Sequence, residues 1–252
     1  MVVLSGYPGK PIIEKQLGIT GDYQYKALRS SNFLQANWHQ NKLTILTKLL
    51  DAYKPKTILD LGTGSGNFEL AFAKKLTKIV GVDYYNEALV FLSKELKKRK
   101  IKNVKLVKED ILNVRKITKL GKFDAIIMVD VIEHLKAKPA FKLIASFKKV
   151  LNPDGKIIII TPNYKSAWPI IEKLLDRFTG IPHLENMQHI LKFDPVSLRN
   201  TFLKYKYAPL AHYTFNTISF LAPNKELSSA LCNFETSFPF PYGSLLAYVF
   251  KL

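Results

Sequence analysis

The chain has 252 residues, 47% hydrophobic and 23% charged, with one cysteine and a net charge of +18. That length and a mean hydropathy of −0.01 exclude a disordered polypeptide and suit one α/β domain with room for a helical cap. The excess of 38 Lys and Arg over 20 Asp and Glu, densest in Lys94-Glu95-Leu96-Lys97-Lys98-Arg99-Lys100-Ile101-Lys102, would attract nucleic acid, an anionic membrane surface or an acidic substrate; a solvated, lysine-rich helix face gives the same numbers.

The N-terminal segment Met1 to Lys15 lacks the apolar region of a signal peptide, and no apolar run reaches the length of a membrane span. Tyr23 to Tyr53 reads as mostly helical, with Leu43, Ile45, Leu46, Leu49 and Leu50 near helical spacing and Pro55 ending it. Five short apolar runs follow, each strand-like: Thr57 to Leu61, Lys78 to Asp83, Val104 to Val107, Phe123 to Met128 and Lys156 to Thr161. Helical patterns separate them over Phe68 to Leu76, Ala88 to Lys98 and Ala140 to Val150, and Pro153-Asp154-Gly155 reads as a turn. Such alternation predicts a mainly parallel sheet covered on both faces. After Pro162 the alternation pauses for a helix, Ile170 to Phe178, and a loop with Gly180, Pro182 and His183. An insertion at that place lies beyond the carboxyl end of strand five, where open α/β sheets bind ligands, so a lid or acceptor-pocket role is expected. A helix over Pro195 to Tyr205 and strands over Ala211 to Leu221 and Ser244 to Phe250 complete the reading. Cys232 cannot form an internal disulfide and no Cys/His zinc spacing occurs, so a reducing, cytoplasmic setting is expected.

The chemistry gathers where the first strand ends. Gly62, Gly64 and Gly66 make G-x-G-x-G, a turn that lets backbone approach a ligand at a helix N-terminus. A dinucleotide fingerprint needs G-x-G-x-x-G/A, but position 67 is Asn, and no P-loop lysine follows. Asp83 ends the second strand, where a carboxylate can accept both hydroxyls of a ribose, and Glu109-Asp110 follows the third, where one can accept from an adenine amino group. Acidic residues at three successive strand ends suit an uncharged nucleoside carrying a sulfonium and would repel a pyrophosphate.

Ile58 through Gly66 resembles the first motif of class I S-adenosylmethionine-dependent methyltransferases. Val80-Gly81-Val82-Asp83 is similar to their ribose-binding strand, Lys108-Glu109-Asp110-Ile111 to their adenine segment, and Phe123-Asp124 through Asp130-Val131-Ile132-Glu133-His134-Leu135 to their fourth-strand motif. Val150 to Lys156 resembles the "L-x-P-G-G" turn with Asp154 for the first Gly. Gln188 to Leu198 resembles a later "H-x-x-x-F-x-P-x-S-L" stretch of a subgroup similar to ubiquinone-biosynthesis-type small-molecule methyltransferases. The resemblance implies a Rossmann-like, doubly wound, seven-stranded, mostly parallel sheet with an antiparallel last strand, an N-terminal helical cap (1–55), a cofactor-binding half (56–162) and a lid or acceptor region with the C-terminal strands (163–252). It implies S-adenosylmethionine as cofactor, leaving as S-adenosylhomocysteine. Asp60, Gly62, Thr63 and Gly64 would line or anchor its methionine end, Asp83 and Tyr84 its ribose, Asp110 and Ile111 its adenine, and Val129 and Asp130 would border the donor. Asp124 reads as a structural carboxylate.

The activated donor leaves the protein to position an acceptor and, for an oxygen, to take its proton. His134 and His189 are the candidate bases, with Glu133 beside them. If Asp130 to His134 opens a helix, Asp130, Glu133 and His134 share a face and with His189 form a set able to hold a divalent cation, similar to the Glu-x-x-Glu-His plus distant His of small-RNA 2′-O-methyltransferases. Asp130 departs from that pattern, and a metal is not favoured. Tyr25, Arg29, Trp38 and His39 are expected to fold over the active site. The expected partner is a small-molecule, sugar or lipid-like acceptor. An RNA or protein methyltransferase is the alternative that the charge favours, although the Asn-Pro-Pro-Tyr-type signature of many amino-group methylators is absent; a third reading is a cofactor-binding module without turnover.

Overall fold

The computed structural model describes residues 18–178, 189–238 and 242–252; the predicted loop with Gly180, Pro182 and His183, the residue Gln188 and the segment Met1 to Lys15 lie outside them. Two N-terminal helices, α1 (Tyr23–Leu28) and α2 (Phe33–Tyr53), stand where one was expected. The break has a local cause: Asn32 leaves the helical region and its Oδ1 accepts the Leu34 and Gln35 N–H groups, capping α2. Then come β1 (Thr57–Leu61), α3 (Asn67–Phe72), β2 (Lys78–Asp83), α4 (Asn86–Lys98), β3 (Val104–Lys108), α5 (Val114–Ile117), β4 (Phe123–Val129), α6 (Ala137–Ser146) and β5 (Leu151–Pro162). The C-terminal part holds α7 (Trp168–Phe178), α8 (Pro195–Leu203), β6 (Ala208–Phe215), α9 (Lys225–Glu235) and β7 (Leu245–Lys251).

The strands form one 7-stranded sheet in the order β3-β2-β1-β4-β5-β7-β6. Neighbours from β3 to β5 pair in parallel, and β7 runs antiparallel to both β5 and β6. The expected Pro153-Asp154-Gly155 turn is instead a bulge inside β5: Leu151 pairs with Phe123 and Lys156 with Ala125, and Asp154 takes up the extra length at φ 61°. Strand β6 ends at Phe215, short of the expected Leu221, because residues 219–221 turn back as a 3-10 helix.

The isoleucine run of β5 explains the sheet's solidity. Ile157 and Ile159 enter the core on one face, Ile158 and Ile160 on the other, all fully buried. On the first face Phe202 stacks on Phe250 at 4.2 Å; each such aromatic side chain contributes about 2–3 kcal/mol by its removal from water. On the other face α2 lays Ile45, Leu46 and Leu49. Helix α9 was not expected from the sequence. It packs on α2 through buried polar groups: Ser228 Oγ donates to Asn41 Oδ1 at 3.0 Å, Asn41 Nδ2 donates to Asn216 Oδ1 at 2.7 Å, and Glu235 accepts the Ile218 and Ser219 N–H groups. The chain order reverses between β1 and β4, so the crevice of a doubly wound sheet opens at the carboxyl ends of those two strands. Among the described residues, no helix is long and apolar enough to cross a membrane.

Candidate active site

The loop after β1 is held open by its glycines. Gly62, Gly64 and Gly66 sit at φ 88°, 50° and 78°, a region costly for residues with a Cβ. A Cβ on Gly62 would lie 2.3 Å from Val131 Cγ2, beyond β4, and one on Gly64 would lie 2.1 Å from Gln24 Oε1. At both positions a side chain from another segment closes on the loop backbone, which leaves no room for a Cβ. Beneath it Thr63 Oγ1 bonds both Asp60, at 3.0 Å, and Glu69. All three are buried. Burial and the nearby Glu69 hold the Asp60 carboxyl well above the usual carboxylate range, and burial raises Glu69 too. Asp60 thus anchors the loop from below.

Asp83 ends β2 and accepts the Gly64 and Tyr85 N–H groups, both at 2.8 Å, which ties the glycine loop to the next strand. Tyr84 is exposed beside it. Asp110 accepts the Leu112 N–H at 2.8 Å and stands half-buried after β3, with Ile111 in the core beneath. Glu109 is held by Lys116 at 2.6 Å. A glycine turn beside carboxylates at successive strand ends is a donor set that suits the polar groups of S-adenosylmethionine.

The corner beyond β4 and β5 is assembled from four segments. After β4, Asp130 takes φ 53°, an outlier of the kind that collects at functional sites. Its carboxylate pairs with Lys42 of α2; burial opposes ionisation there, but the Lys42 ammonium draws the carboxyl below the usual range. His39 lies near this pair, and burial followed by the Lys42 charge pushes its pKa down to about 3. Residues 132–134 form a single 3-10 turn rather than an α-helix, so Asp130 and Glu133 part company. Glu133 is 1% exposed; its Oε2 accepts from Thr161 Oγ1 at 2.9 Å, and its Oε1 has no partner among the described residues. Burial and then Asp130 raise its pKa to about 7.

His189 reaches this corner because the Ile190 and Leu191 N–H groups both donate to the Glu133 carbonyl at 2.8 Å. The following Asp194-Pro195-Val196-Ser197 is a capping box that starts α8, which gives the sequence motif a structural meaning. Ligand atoms of Glu133, His134 and His189 lie within 4.8 Å of one another, and the two imidazole centres are 5.0 Å apart. The expected four-residue set is thus brought together as three, with Asp130 turned to Lys42. On its far side His189 Nδ1 lies 2.5 Å from Glu172 Oε1 of α7 and 2.9 Å from the Tyr164 hydroxyl. Trp168 covers His189 at 6.0 Å, and Trp38 packs tilted against Trp168 at 5.1 Å.

Trp38 therefore reaches this corner, and His39 its Asp130 side. Tyr25 and Arg29 do not: Tyr25 packs edge-on against Phe91 of α4, accepts from Arg99 Nη2, and carries the Arg29 guanidinium over its ring. Sequence reasoning missed Lys42, Glu172 and Gln24. A signal existed for the first two. Lys42 lies three, four and seven residues before Ile45, Leu46 and Leu49, on the apolar stripe of α2, and Glu172 follows Trp168 by four on α7.

The family model described as "Methyltransferase domain" matches residues 33–212. The chain belongs to the S-adenosylmethionine-dependent methyltransferase domain family. It is 29% identical over 124 residues to the probable ribosomal RNA small subunit methyltransferase A of Methanosphaera stadtmanae, covering 49% of this chain and 43% of that protein. It is 30% identical over 128 residues to EEF1A lysine methyltransferase 2 of Danio rerio, covering 48% and 52%. The chain spans about half the length of these curated relatives. In fold it is similar to the magnesium protoporphyrin IX methyltransferase of Synechocystis PCC 6803 with bound S-adenosylhomocysteine, at a TM-score of 0.64 and 15% identity over 95% of this chain and 98% of that one. Their names point to different acceptors, and they do not single out the ubiquinone-type subgroup.

Proposed function

We propose that this chain transfers a methyl group from S-adenosylmethionine to an oxygen of a small-molecule acceptor, with His189 taking the acceptor's proton. The observation that carries this reading is the Glu133–His134–His189 corner beyond β4 and β5, with Glu133 and His189 buried, next to the glycine loop and walled by Trp38 and Trp168. The cofactor, when bound, supplies an electrophilic methyl group on a sulfonium. Gly62 and Gly64 would lie beside its methionine end, Asp83 would hold the ribose and Asp110 the adenine, and Val129 and Asp130 would border the donor. His189 accepts the proton from the acceptor hydroxyl, a contribution of about 10²–10⁴-fold in rate for a positioned base. His134 and Glu133 line the same space and orient the hydroxyl. The enclosure of His189, 5% exposed, favours a small acceptor over a polymer. The lone, buried Cys232 accords with a cytoplasmic setting.

The net charge of +18 favours a second reading, in which RNA or a protein is the acceptor. Incubation with methyl-labelled S-adenosylmethionine and fractionated cell extract separates the two. Label in the small-molecule fraction, lost in His189→Gln while cofactor binding persists, is the expected result. Label in the RNA or protein fraction overturns the small-molecule assignment.

A further inference from the structure

Glu172 lies outside every motif read from the sequence, yet it holds the closest partner of His189. Its Oε1 is 2.5 Å from Nδ1, with both side chains almost wholly buried. The Tyr164 hydroxyl lies 2.9 Å and 3.1 Å from the two Glu172 oxygens. Burial, followed by Glu172, raises the Tyr164 pKa far above its ordinary value, so its proton stays on and the hydroxyl donates. A carboxylate that receives the Tyr164 proton donor on one side accepts best from an N–H on the other. Nδ1 of His189 then carries hydrogen, and the lone pair is left on Nε2, the ring nitrogen that does not face Glu172.

We infer that Glu172 is a positioning residue for methyl transfer: with Tyr164 it fixes His189 in the Nδ1–H tautomer and compensates the imidazolium formed when Nε2 takes the acceptor's proton. The inference rests on the proposed role of His189. No new co-reactant is needed. The proton moves from the acceptor oxygen to Nε2, that oxygen bonds the methyl carbon, and the carbon–sulfur electron pair stays with sulfur. The ring becomes positive 2.5 Å from a carboxylate that burial shields from water, where a charge-assisted hydrogen bond is about twice as strong as a neutral one.

Histidine-selective ¹⁵N labelling of the full chain loaded with S-adenosylmethionine tests this directly, because the chain has only 5 histidines and the His189 signals are identified by their loss in His189→Gln. The expected two-bond ¹H–¹⁵N pattern is a protonated Nδ1 and an unprotonated Nε2. A protonated Nε2 in the wild-type protein overturns the inference, and this readout needs no acceptor. A second arm uses Glu172→Gln, which keeps the volume and one acceptor oxygen but not the charge. Its transfer of label to the small-molecule fraction is expected to fall about 100-fold, within the range for a general base, with cofactor affinity within about twofold of wild type. Turnover equal to wild type overturns the electrostatic role. Should the wild-type protein label no small molecule, the proposed acceptor class fails while the tautomer measurement still decides the position of the proton.

Discussion

Glu133→Gln isolates the most strongly placed carboxyl of the acceptor corner. Burial and Asp130 move the Glu133 pKa from 4.5 to about 7, and each pKa unit corresponds to about 1.4 kcal/mol, so the charged form is disfavoured in the folded chain by about 3 kcal/mol. The direction follows from linkage. Between pH 4.5 and 7 the folded state keeps a proton that the unfolded state has lost, so stability falls as pH rises through that window and levels off above it. Gln keeps the bond from Thr161 Oγ1 and does not ionise. Any change in packing adds a constant offset, which cancels when the two proteins are compared across pH. Urea unfolding at pH 5, 6, 7 and 8 should therefore show Glu133→Gln gaining on wild type by up to about 3 kcal/mol, or about 1 M in the midpoint at a slope of about 3 kcal/mol/M. A stability difference that is flat over this range would refute the burial of an ionisable Glu133.

The Lys42–Asp130 pair should behave as a buried ion pair: Lys42→Met is expected to destabilise the fold by up to about 3 kcal/mol because it strands a carboxylate, and Lys42→Met with Asp130→Asn should recover most of that in the same unfolding assay. Loss from the double variant equal to the sum of the singles would show that the two side chains do not act together. Chelation bears on the Glu133, His134 and His189 set. With Asp130 drawn away to Lys42 and His189 acting as base, methyl transfer should persist in excess EDTA; abolished turnover, restored by a divalent cation, would replace the general-base reading with a metal-assisted one.

The two halves of the site differ in how far they could be read from sequence, and the reason is contact distance along the chain. Asp60, Gly62 and Gly64 are neighbours on one turn, and Asp83 and Asp110 follow consecutive strands, so local pattern placed each at the same sheet edge. The acceptor corner brings Lys42, Glu133, Glu172 and His189 together from four separate segments. Their types were visible; their pairing is tertiary. Asp130 shows the consequence: its spacing to Glu133 and His134 suggested a common helix face, but a φ of 53° and a 3-10 turn send it to Lys42. Helix α9 escaped notice for a related reason. Lys225 to Glu235 has a mixed, weakly apolar pattern, and its buried attachments are polar, Ser228 to Asn41 and Glu235 to residues 217–219. Strand β5 was legible as an isoleucine run, whereas the bulge at Asp154 that lengthens it depends on its pairing with β4.

The cofactor pocket is the claim on which the rest depends, and calorimetric titration of S-adenosylmethionine into wild-type protein and Asp83→Ala tests it most directly. Removing a carboxylate that accepts from ribose hydroxyls forfeits charge-assisted hydrogen bonds of about 1.5–3 kcal/mol, so the affinity should drop by about 10- to 100-fold while the thermal midpoint confirms that the variant is folded. Unchanged affinity in a folded Asp83→Ala would contradict the pocket at the ends of β1, β2 and β3.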